Sequence, residues 1–201
     1  MGRSFQLQRV LVFDLGGVLV VNDVFEELQK LVVGDIFVDA LRTSWLRSAA
    51  VRAFELGICS PEKFAESIVE EFELAVTPSR FLSAFANWPK GLHPGADFLL
   101  ADLRKRFLIG CLSNSNEIHW TTQVTSHFDF SYSSHLMKRI KPDVGVFEFV
   151  TAAIGRAPHE IIFFDDSRLN IDSATRYGWE AYLTDGYSEL QRVLGDLHLL
   201  G

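Results

Sequence analysis

Short apolar runs alternate with amphipathic stretches along most of this 201-residue chain. The first run, VLVF at residues 10–13, is rich in β-branched and aromatic residues and predicts a buried strand. Further strands are predicted at 107–112, 130–133, 161–164 and 181–183, and helices at 96–105, 117–126, 144–154, 169–177 and 190–200. Strands that alternate with helices are typical of parallel sheets covered on both faces, so the pattern predicts a doubly wound α/β core.

Residues 23–85 carry a different pattern, in which apolar residues recur at helical spacing and strand signals are scarce. Phe64, Ile68 and Phe72, for example, fall on one face of a predicted helix. The segment ends in a turn-rich joint at residues 88–95. We therefore expect a small all-helical cap domain at residues 22–88, inserted into a core formed by residues 1–21 and 89–201.

Composition narrows the class of protein. Hydrophobic residues make up 48% of the chain and charged residues 22%, as in globular proteins, and the net charge of -7 provides no basic face for nucleic acid or an anionic membrane. No apolar run predicts a membrane span, and the first ten residues lack the apolar core of a secretory signal. Two cysteines form no disulfide framework. We expect a cytoplasmic monomer or homodimer that binds neither nucleic acid nor membrane.

Polar side chains follow three of the predicted strands. Asp14 comes directly after the first strand, Ser113 follows the strand at 107–112, and Asp165 follows the strand at 161–164. Because the carboxyl ends of parallel strands meet at one edge of the sheet, these residues should converge there, with Lys141 reaching them from a loop. The alternative for Asp14 alone is a solvated residue that caps the next element.

Such a cluster suits a metal ion and a phosphate group. Several carboxylates at a buried edge repel one another unless a cation neutralises them, and an acidic site of oxygen ligands suits Mg²⁺. The metal and Lys141 could then hold a phosphate, while Ser113 and backbone N–H groups donate to its oxygens. Asp14 would be left to attack phosphorus as a nucleophile.

In these residues the sequence resembles the haloacid dehalogenase-like (HAD) hydrolase superfamily. The four motifs of that family correspond, in order, to DLGGV at residues 14–18, Ser113, Lys141 and the pair Asp165 and Asp166. A helical cap inserted after the first motif belongs to one branch of the family, so the resemblance extends over the full chain. The segments LSNSN, KPD and FFDDSRLNI resemble those of bacterial sugar-phosphate phosphatases.

The resemblance implies a Rossmann-like core, a role for each matching residue and Mg²⁺ as the cofactor. The implied catalytic residues are Asp14, which would become an aspartyl phosphate, Ser113 and Lys141; the substrate-binding residues are Ser113, Asn114 and Lys141; and the metal ligands are Asp14, the Gly16 carbonyl, Asp165 and Asp166. Asn170 either orients the acidic loop or caps a turn. In the cap, Arg47 is a further substrate-binding candidate, and its alternative is a solvated surface charge.

One position departs from the family pattern. Most phosphatases of the family carry a second Asp at position 16, which protonates the leaving oxygen and then activates water, but this chain has Gly16. Acid–base catalysis typically contributes about 10²- to 10⁴-fold to the rate. His119 could replace the missing group, although a solvated or capping role is the more usual one for a histidine in this position.

Three interpretations of Gly16 remain open. In the first, the protein is a Mg²⁺-dependent phosphatase that acts on a small phosphate ester such as a sugar phosphate, either slowly or only where the leaving group is good. In the second, it is a 2-haloacid dehalogenase, in which Asp14 attacks carbon without metal, although the paired acids at 165 and 166 argue for a metal. In the third, it is a non-catalytic binding protein on an inactivated scaffold.

Overall fold

The computed structural model describes residues 9–201, so the first eight residues of the predicted core lie outside the described residues. The strands are β1 (Val10–Phe13), β2 (Val20–Asn22), β3 (Pro89–Leu92), β4 (Leu108–Ser113), β5 (Phe130–Ser133), β6 (Ile161–Asp165) and β7 (Glu180–Leu183). The helices are α1 (Val24–Gln29), α2 (Val38–Arg47), α3 (Ala49–Glu55), α4 (Pro61–Glu71), α5 (Pro78–Phe85), α6 (Ala96–Leu103), α7 (Thr122–Thr125), α8 (Ser134–Met137), α9 (Val144–Ile154), α10 (Arg168–Tyr177) and α11 (Tyr187–Asp196).

Five parallel strands form the central sheet in the order β5-β4-β1-β6-β7. Strand β1 lies at the centre, where all four of its residues are fully buried. Its side chains alternate between two hydrophobic clusters: Leu11 and Phe13 pack on one face, and Val10 and Val12 pack on the other. Helices therefore cover both faces of the sheet, which confirms the predicted doubly wound α/β fold.

Strand register aligns the ends of the central strands. Phe13 lies opposite Cys111 of β4 on one side and opposite Phe164 of β6 on the other. The next residue along β1 is Asp14, and the next along β6 is Asp165, so both carboxyl groups emerge at the same edge of the sheet.

Helices α1 to α5, which we call the helical insert (Val24–Phe85), connect β1 and β2 to the rest of the core. The insert has its own hydrophobic cluster, rich in aromatic side chains such as Trp45, Phe54, Phe64 and Phe85. Ser60 begins α4 by accepting the N–H of Lys63 at 3.3 Å. The domain boundaries at residues 22 and 88 stay predictions.

Strand β2 and helix α8 were not predicted, the helix predicted at 190–200 is α11 (Tyr187–Asp196), and two further segments also differ from the predicted elements. The joint at 88–95 contains β3, which pairs antiparallel with β2; its Pro and Gly residues give no strand signal, so the pairing is decided by contact with β2.

The helix predicted at 117–126 is reduced to α7 (Thr122–Thr125). The Asn116 side chain causes this, because its Oδ1 accepts the N–H groups of Ile118 and His119 at 3.1 Å each and holds a turn instead. Within residues 9–201, we find no helix with the length and hydrophobicity needed to cross a membrane.

Gly110 of β4 offers a test of sheet packing. A Cβ atom at this position would collide with the ring of Phe130 on the neighbouring strand. We expect Gly110→Val to lower the free energy of unfolding by about 1–3 kcal/mol, because overpacking forces the ring or the strand to move. Urea denaturation measures the change.

Gly145 in α9 is the matched control, because an added Cβ would meet no atom within 4 Å. We expect Gly145→Ala to leave stability unchanged or to raise it by up to about 1 kcal/mol. Equal effects of the two substitutions would contradict the packing argument.

Candidate active site

Two buried carboxylates stand side by side at the carboxyl edge of the sheet. Asp14 and Asp165 expose 8% and 0% of their surface. The backbone N–H of Asp14 donates to the Phe164 carbonyl at 2.8 Å, which extends the β1–β6 pairing to the carboxylate itself. The N–H of Leu15 donates to Asp14 Oδ1 at 2.7 Å and fixes the side chain.

Lys141 lies between the two carboxylates. Its Nζ is 2.9 Å from Asp14 Oδ1, 2.7 Å from Asp165 Oδ2 and 2.9 Å from the Leu112 carbonyl oxygen. An ammonium group has three N–H donors, so these acceptors use all of them. Direct contact of Lys141 with a phosphate would require it to exchange one of these partners.

Two asparagines hold this arrangement in place. Asn114 Oδ1 accepts the N–H of Lys141 at 2.9 Å, and its Nδ2 donates to the Lys141 carbonyl at 3.0 Å. Asn170 Nδ2 donates to Asp165 Oδ1 at 2.9 Å, beside the N–H of Ser167 at 2.8 Å. Of the two roles that the sequence left open, Asn170 therefore has the orienting one.

A third carboxylate completes a group that could hold a cation. Ligand oxygens of Asp14, Asp165 and Asp166 all lie within 4.8 Å of one another. Gly17 has φ +76°, and a Cβ there would collide with Asp166 Oδ2, so only glycine leaves room for this carboxylate. Three oxygen donors on a rigid sheet edge fit Mg²⁺, and the Gly16 carbonyl is adjacent in the chain.

The pKa values reflect this crowding. Burial, together with the charges of Asp165 and Asp166, raises the pKa of Asp14 to about 8, although Lys141 opposes the shift. Burial and Asp165 likewise raise the pKa of Asp166 to about 6. Burial alone would lower the pKa of Lys141, but its two carboxylate partners more than offset this and raise it. A divalent cation would favour the ionised carboxylates by neutralising their mutual repulsion.

A cavity of about 240 Å³ opens above Asp14. The core side is lined by Asp14, Gly16, Gly17, Ser113, Asn114, Ser115, Asn116, His119 and Asp166. The insert side is mostly apolar and is lined by Val24, Phe25, Arg42, Trp45, Leu46, Val51, Phe54, Glu55, Phe64 and Phe85. Lys141 and Asp165 lie beneath this surface rather than on it.

The sequence-predicted arginine does not face this cavity. Arg47 is exposed at the end of α2, outside the lining residues. Arg42, on the same helix, lines the cavity instead and lies 4.7 Å from the centre of the Phe25 ring. Sequence reasoning missed Arg42 because the rotation of α2 relative to the core is a tertiary property; its helical position alone gave no signal.

His119 is already engaged by neighbouring groups. It lies in a turn rather than on the predicted helix, and its Nε2–H donates to the Phe85 carbonyl of the insert at 2.7 Å. Its Nδ1 lies 3.4 Å from Asn116 Nδ2. Burial lowers the pKa of His119, so the ring is neutral and its nitrogens face protein partners.

Glu55, the last residue of α3, is a second residue that sequence reasoning missed. It is half-buried and lines the same cavity as Asp14, and burial raises its pKa to about 7, with Lys141 and Arg52 opposing the shift. The sequence around Glu55, between Arg52 and Gly57, has no local pattern that marks a site residue, so only the docking of α3 on the core reveals it.

Comparison with known proteins agrees with this geometry. Residues 8–178 match the haloacid dehalogenase-like hydrolase family, so the chain belongs to this family and is a hydrolase.

Several solved structures share the fold. A HAD family enzyme from Bacteroides thetaiotaomicron, solved in complex with magnesium and inorganic phosphate, is 27% identical with a TM-score of 0.70, over 88% of this chain and 94% of that one. A predicted HAD-like hydrolase from Porphyromonas gingivalis is 23% identical with a TM-score of 0.71, over 94% and 98% of the two chains. The L-2-haloacid dehalogenase from Xanthobacter autotrophicus is 17% identical with a TM-score of 0.65, over 96% and 85%. The last two similarities concern the fold alone.

Lys141→Met tests how much the buried charges depend on one another. Removing the ammonium leaves Asp14 and Asp165 buried without their counter-charge. We expect the free energy of unfolding at pH 7 to fall by about 3–5 kcal/mol in urea denaturation. In the double variant with Asp14→Asn, the loss should be smaller than the sum of the single losses, whereas additive losses would contradict the coupling.

Glu55→Gln tests the raised pKa of Glu55. The folded state binds this proton more tightly than the unfolded state, since the pKa moves from 4.5 to about 7. The stabilisation that the protonated Glu55 contributes is fully present below pH 4.5 and is lost as the pH rises through about 7. Thermal melts should therefore show that the free energy of unfolding of the variant, relative to that of the native protein, increases by about 1–3 kcal/mol between pH 5 and pH 8.

Glu70 provides the control for this experiment because it is exposed on α4. Glu70→Gln should follow the native pH dependence of stability. A native-like pH dependence for Glu55→Gln as well would contradict the raised pKa.

Proposed function

We propose that this hydrolase is a Mg²⁺-dependent phosphatase that acts on a small phosphorylated metabolite, such as a sugar phosphate, through an aspartyl phosphate on Asp14. The observation that carries the proposal is the cluster of Asp14, Asp165 and Asp166 oxygens within 4.8 Å, next to Lys141. The magnesium and phosphate bound to the Bacteroides thetaiotaomicron enzyme support it. A dehalogenase that works without metal would have no use for such a cluster.

The metal ligands in this proposal are Asp14, Asp165, Asp166 and the Gly16 carbonyl. A bound Mg²⁺ would supply positive charge that offsets the repulsion between these carboxylates and a phosphate dianion. Asp165 is suited to this role because Lys141, Asn170 and Ser167 already fix both of its oxygens.

In the first step, a carboxylate oxygen of Asp14 attacks phosphorus, and the bond from phosphorus to the ester oxygen breaks. Hydrogen bonds from Leu15 and Lys141 orient this carboxylate beforehand. The Ser113 hydroxyl and the Asn114 loop line the cavity next to Asp14 and would bind the phosphate oxygens. Because the Lys141 donors are occupied, its main contribution is to orient Asp14 and to balance charge.

The cavity supports a substrate of sugar size. Its aromatic wall, which includes Trp45 and Phe54, can pack against the carbon face of a small ring. Arg42, held over the Phe25 ring, can donate to hydroxyl or phosphate oxygens. The helical insert then acts as a cap that excludes water from the reacting centre. We also propose a cytoplasmic location, in keeping with the free Cys59 and Cys111.

Phosphate release from a panel of sugar 1-phosphates and 6-phosphates tests this function. We expect turnover with Mg²⁺, loss of turnover with a chelator, and loss of turnover in Asp14→Asn, because the amide cannot attack phosphorus. Glu70→Gln, with an exposed change on the insert, should behave as the native protein does.

Two outcomes would contradict the proposal. Halide release from a 2-haloacid with metal chelated would identify a dehalogenase. Full phosphatase activity in purified Asp14→Asn would show that the turnover comes from elsewhere, and the non-catalytic interpretation would then apply.

A further inference from the structure

The proposed phosphatase reaction needs a proton donor that the first motif lacks. When Asp14 attacks phosphorus, the ester oxygen leaves on the opposite side, because attack and departure are in line. Water must later attack from that same side to release Asp14. Both proton transfers therefore take place within the cavity, on the side of the phosphorus that faces away from Asp14. Gly16 has no side chain that could perform them.

Few ionisable groups of the described residues line the cavity, and most already have another task. Asp14 is the nucleophile and Asp166 belongs to the metal cluster. Arg42 carries a guanidinium group, which has hydrogen-bond donors but no acceptor for a proton. His119 has both ring nitrogens facing protein partners, and its pKa is lowered. Glu55 is the remaining candidate, and it comes from the insert side.

Contacts with the core fix the backbone of Glu55 at the cavity. The Ser134 hydroxyl donates to the Glu55 carbonyl at 2.5 Å and accepts the N–H of Ser115 at 3.0 Å, so Glu55 is joined to the loop that follows Ser113. Two residues later, the Gly57 carbonyl accepts from Lys138 Nζ at 2.5 Å. The end of α3 is therefore docked on α8 and on Lys138, the residue that follows α8.

A second set of contacts keeps this segment close to the core. Gly57 has φ +63°, and a Cβ there would lie only 2.8 Å from the His135 carbonyl oxygen, which only glycine avoids. One turn before Glu55, Arg52 pairs with Asp143 at 2.5 Å, two residues after Lys141. The Glu55 side chain itself has no hydrogen bond or ion pair with the residues described here, and it is half-buried. Its carboxyl group is thus held at the cavity and free to contact a substrate.

We propose that the Glu55 carboxyl group is the general acid and base of this phosphatase, contributed by the insert in place of a side chain at position 16. Its raised pKa, about 7, supports this role, because a group that exchanges protons near neutral pH can serve in both directions.

The protons and electron pairs balance over the two steps. As the bond from phosphorus to the ester oxygen breaks, its electron pair stays on that oxygen, which takes the proton from Glu55 and leaves as an alcohol. Water then attacks the aspartyl phosphate, the phosphorus bond to Asp14 breaks, and the proton of the water passes to the Glu55 carboxylate. The products are alcohol and phosphate, with Asp14 and Glu55 restored.

Two esters without sugar hydroxyls separate acid catalysis from substrate recognition. Propyl phosphate has a poor leaving group that needs the proton, whereas 4-nitrophenyl phosphate has a good one that does not. In Glu55→Gln, we expect kcat/KM for propyl phosphate to fall about 10²- to 10⁴-fold. For 4-nitrophenyl phosphate, kcat/KM should be nearly unchanged while kcat falls, with a burst of nitrophenol, because only the water step is impaired. Glu70→Gln should match the native enzyme with both esters.

Glu55→Ala provides a second variant, in which added formate should restore turnover of propyl phosphate by replacing the missing carboxyl group. Circular dichroism and thermal melts establish that each variant is folded. Equal losses with the two esters, or no loss with either, would overturn the role of Glu55 while the native turnover upholds the phosphatase. If the native protein with Mg²⁺ releases phosphate from neither these esters nor the sugar phosphates, the proposed function fails, and the role of Glu55 fails with it.

Discussion

The ammonium group of Lys141 lies between two buried carboxylates, and the geometry of the site depends on this contact. Asp14 and Asp165 could not share a sheet edge without a positive charge between them, since each would be buried next to a like charge. The remaining polar groups serve the same arrangement: Asn114 clamps the Lys141 backbone, and Asn170 holds the second oxygen of Asp165. The site is rigid because Lys141 Nζ, Asp14 Oδ1 and both oxygens of Asp165 have fixed partners.

The core and the helical insert contribute different groups to the site. The core presents the charged groups on strand ends that pairing holds in register. The helical insert contributes an aromatic wall together with Arg42 and Glu55, so it shapes the cavity, and in our proposal Glu55 also transfers the protons. Contacts such as Ser134 with the Glu55 carbonyl join the two at the cavity.

The sequence predicted the core elements well where the spacing of apolar residues along the chain matches the face that the element packs against the core. The helix at 144–154 and the strand at 130–133 have the bounds that periodicity indicated, because their apolar residues recur with the period of the element. The predictions were wrong where one side chain, or a strand distant in the sequence, determines the local backbone structure. Asn116 replaces a helix with a turn, and β3 exists only because β2 lies beside it.

By itself, the sequence determined the sheet, the helical insert and the family, since strand periodicity and the order of the strand-end residues are written along the chain. It also placed Asp14, Asp165 and Lys141 at one edge, because parallel strands end on the same side. Only the tertiary structure decided that Lys141 uses all its donors beneath the cavity surface, that Arg42 rather than Arg47 faces the cavity, and that Glu55 lines the same cavity as Asp14. These depend on how α2 and α3 dock on the core, and no local pattern encodes the rotation of a docked helix.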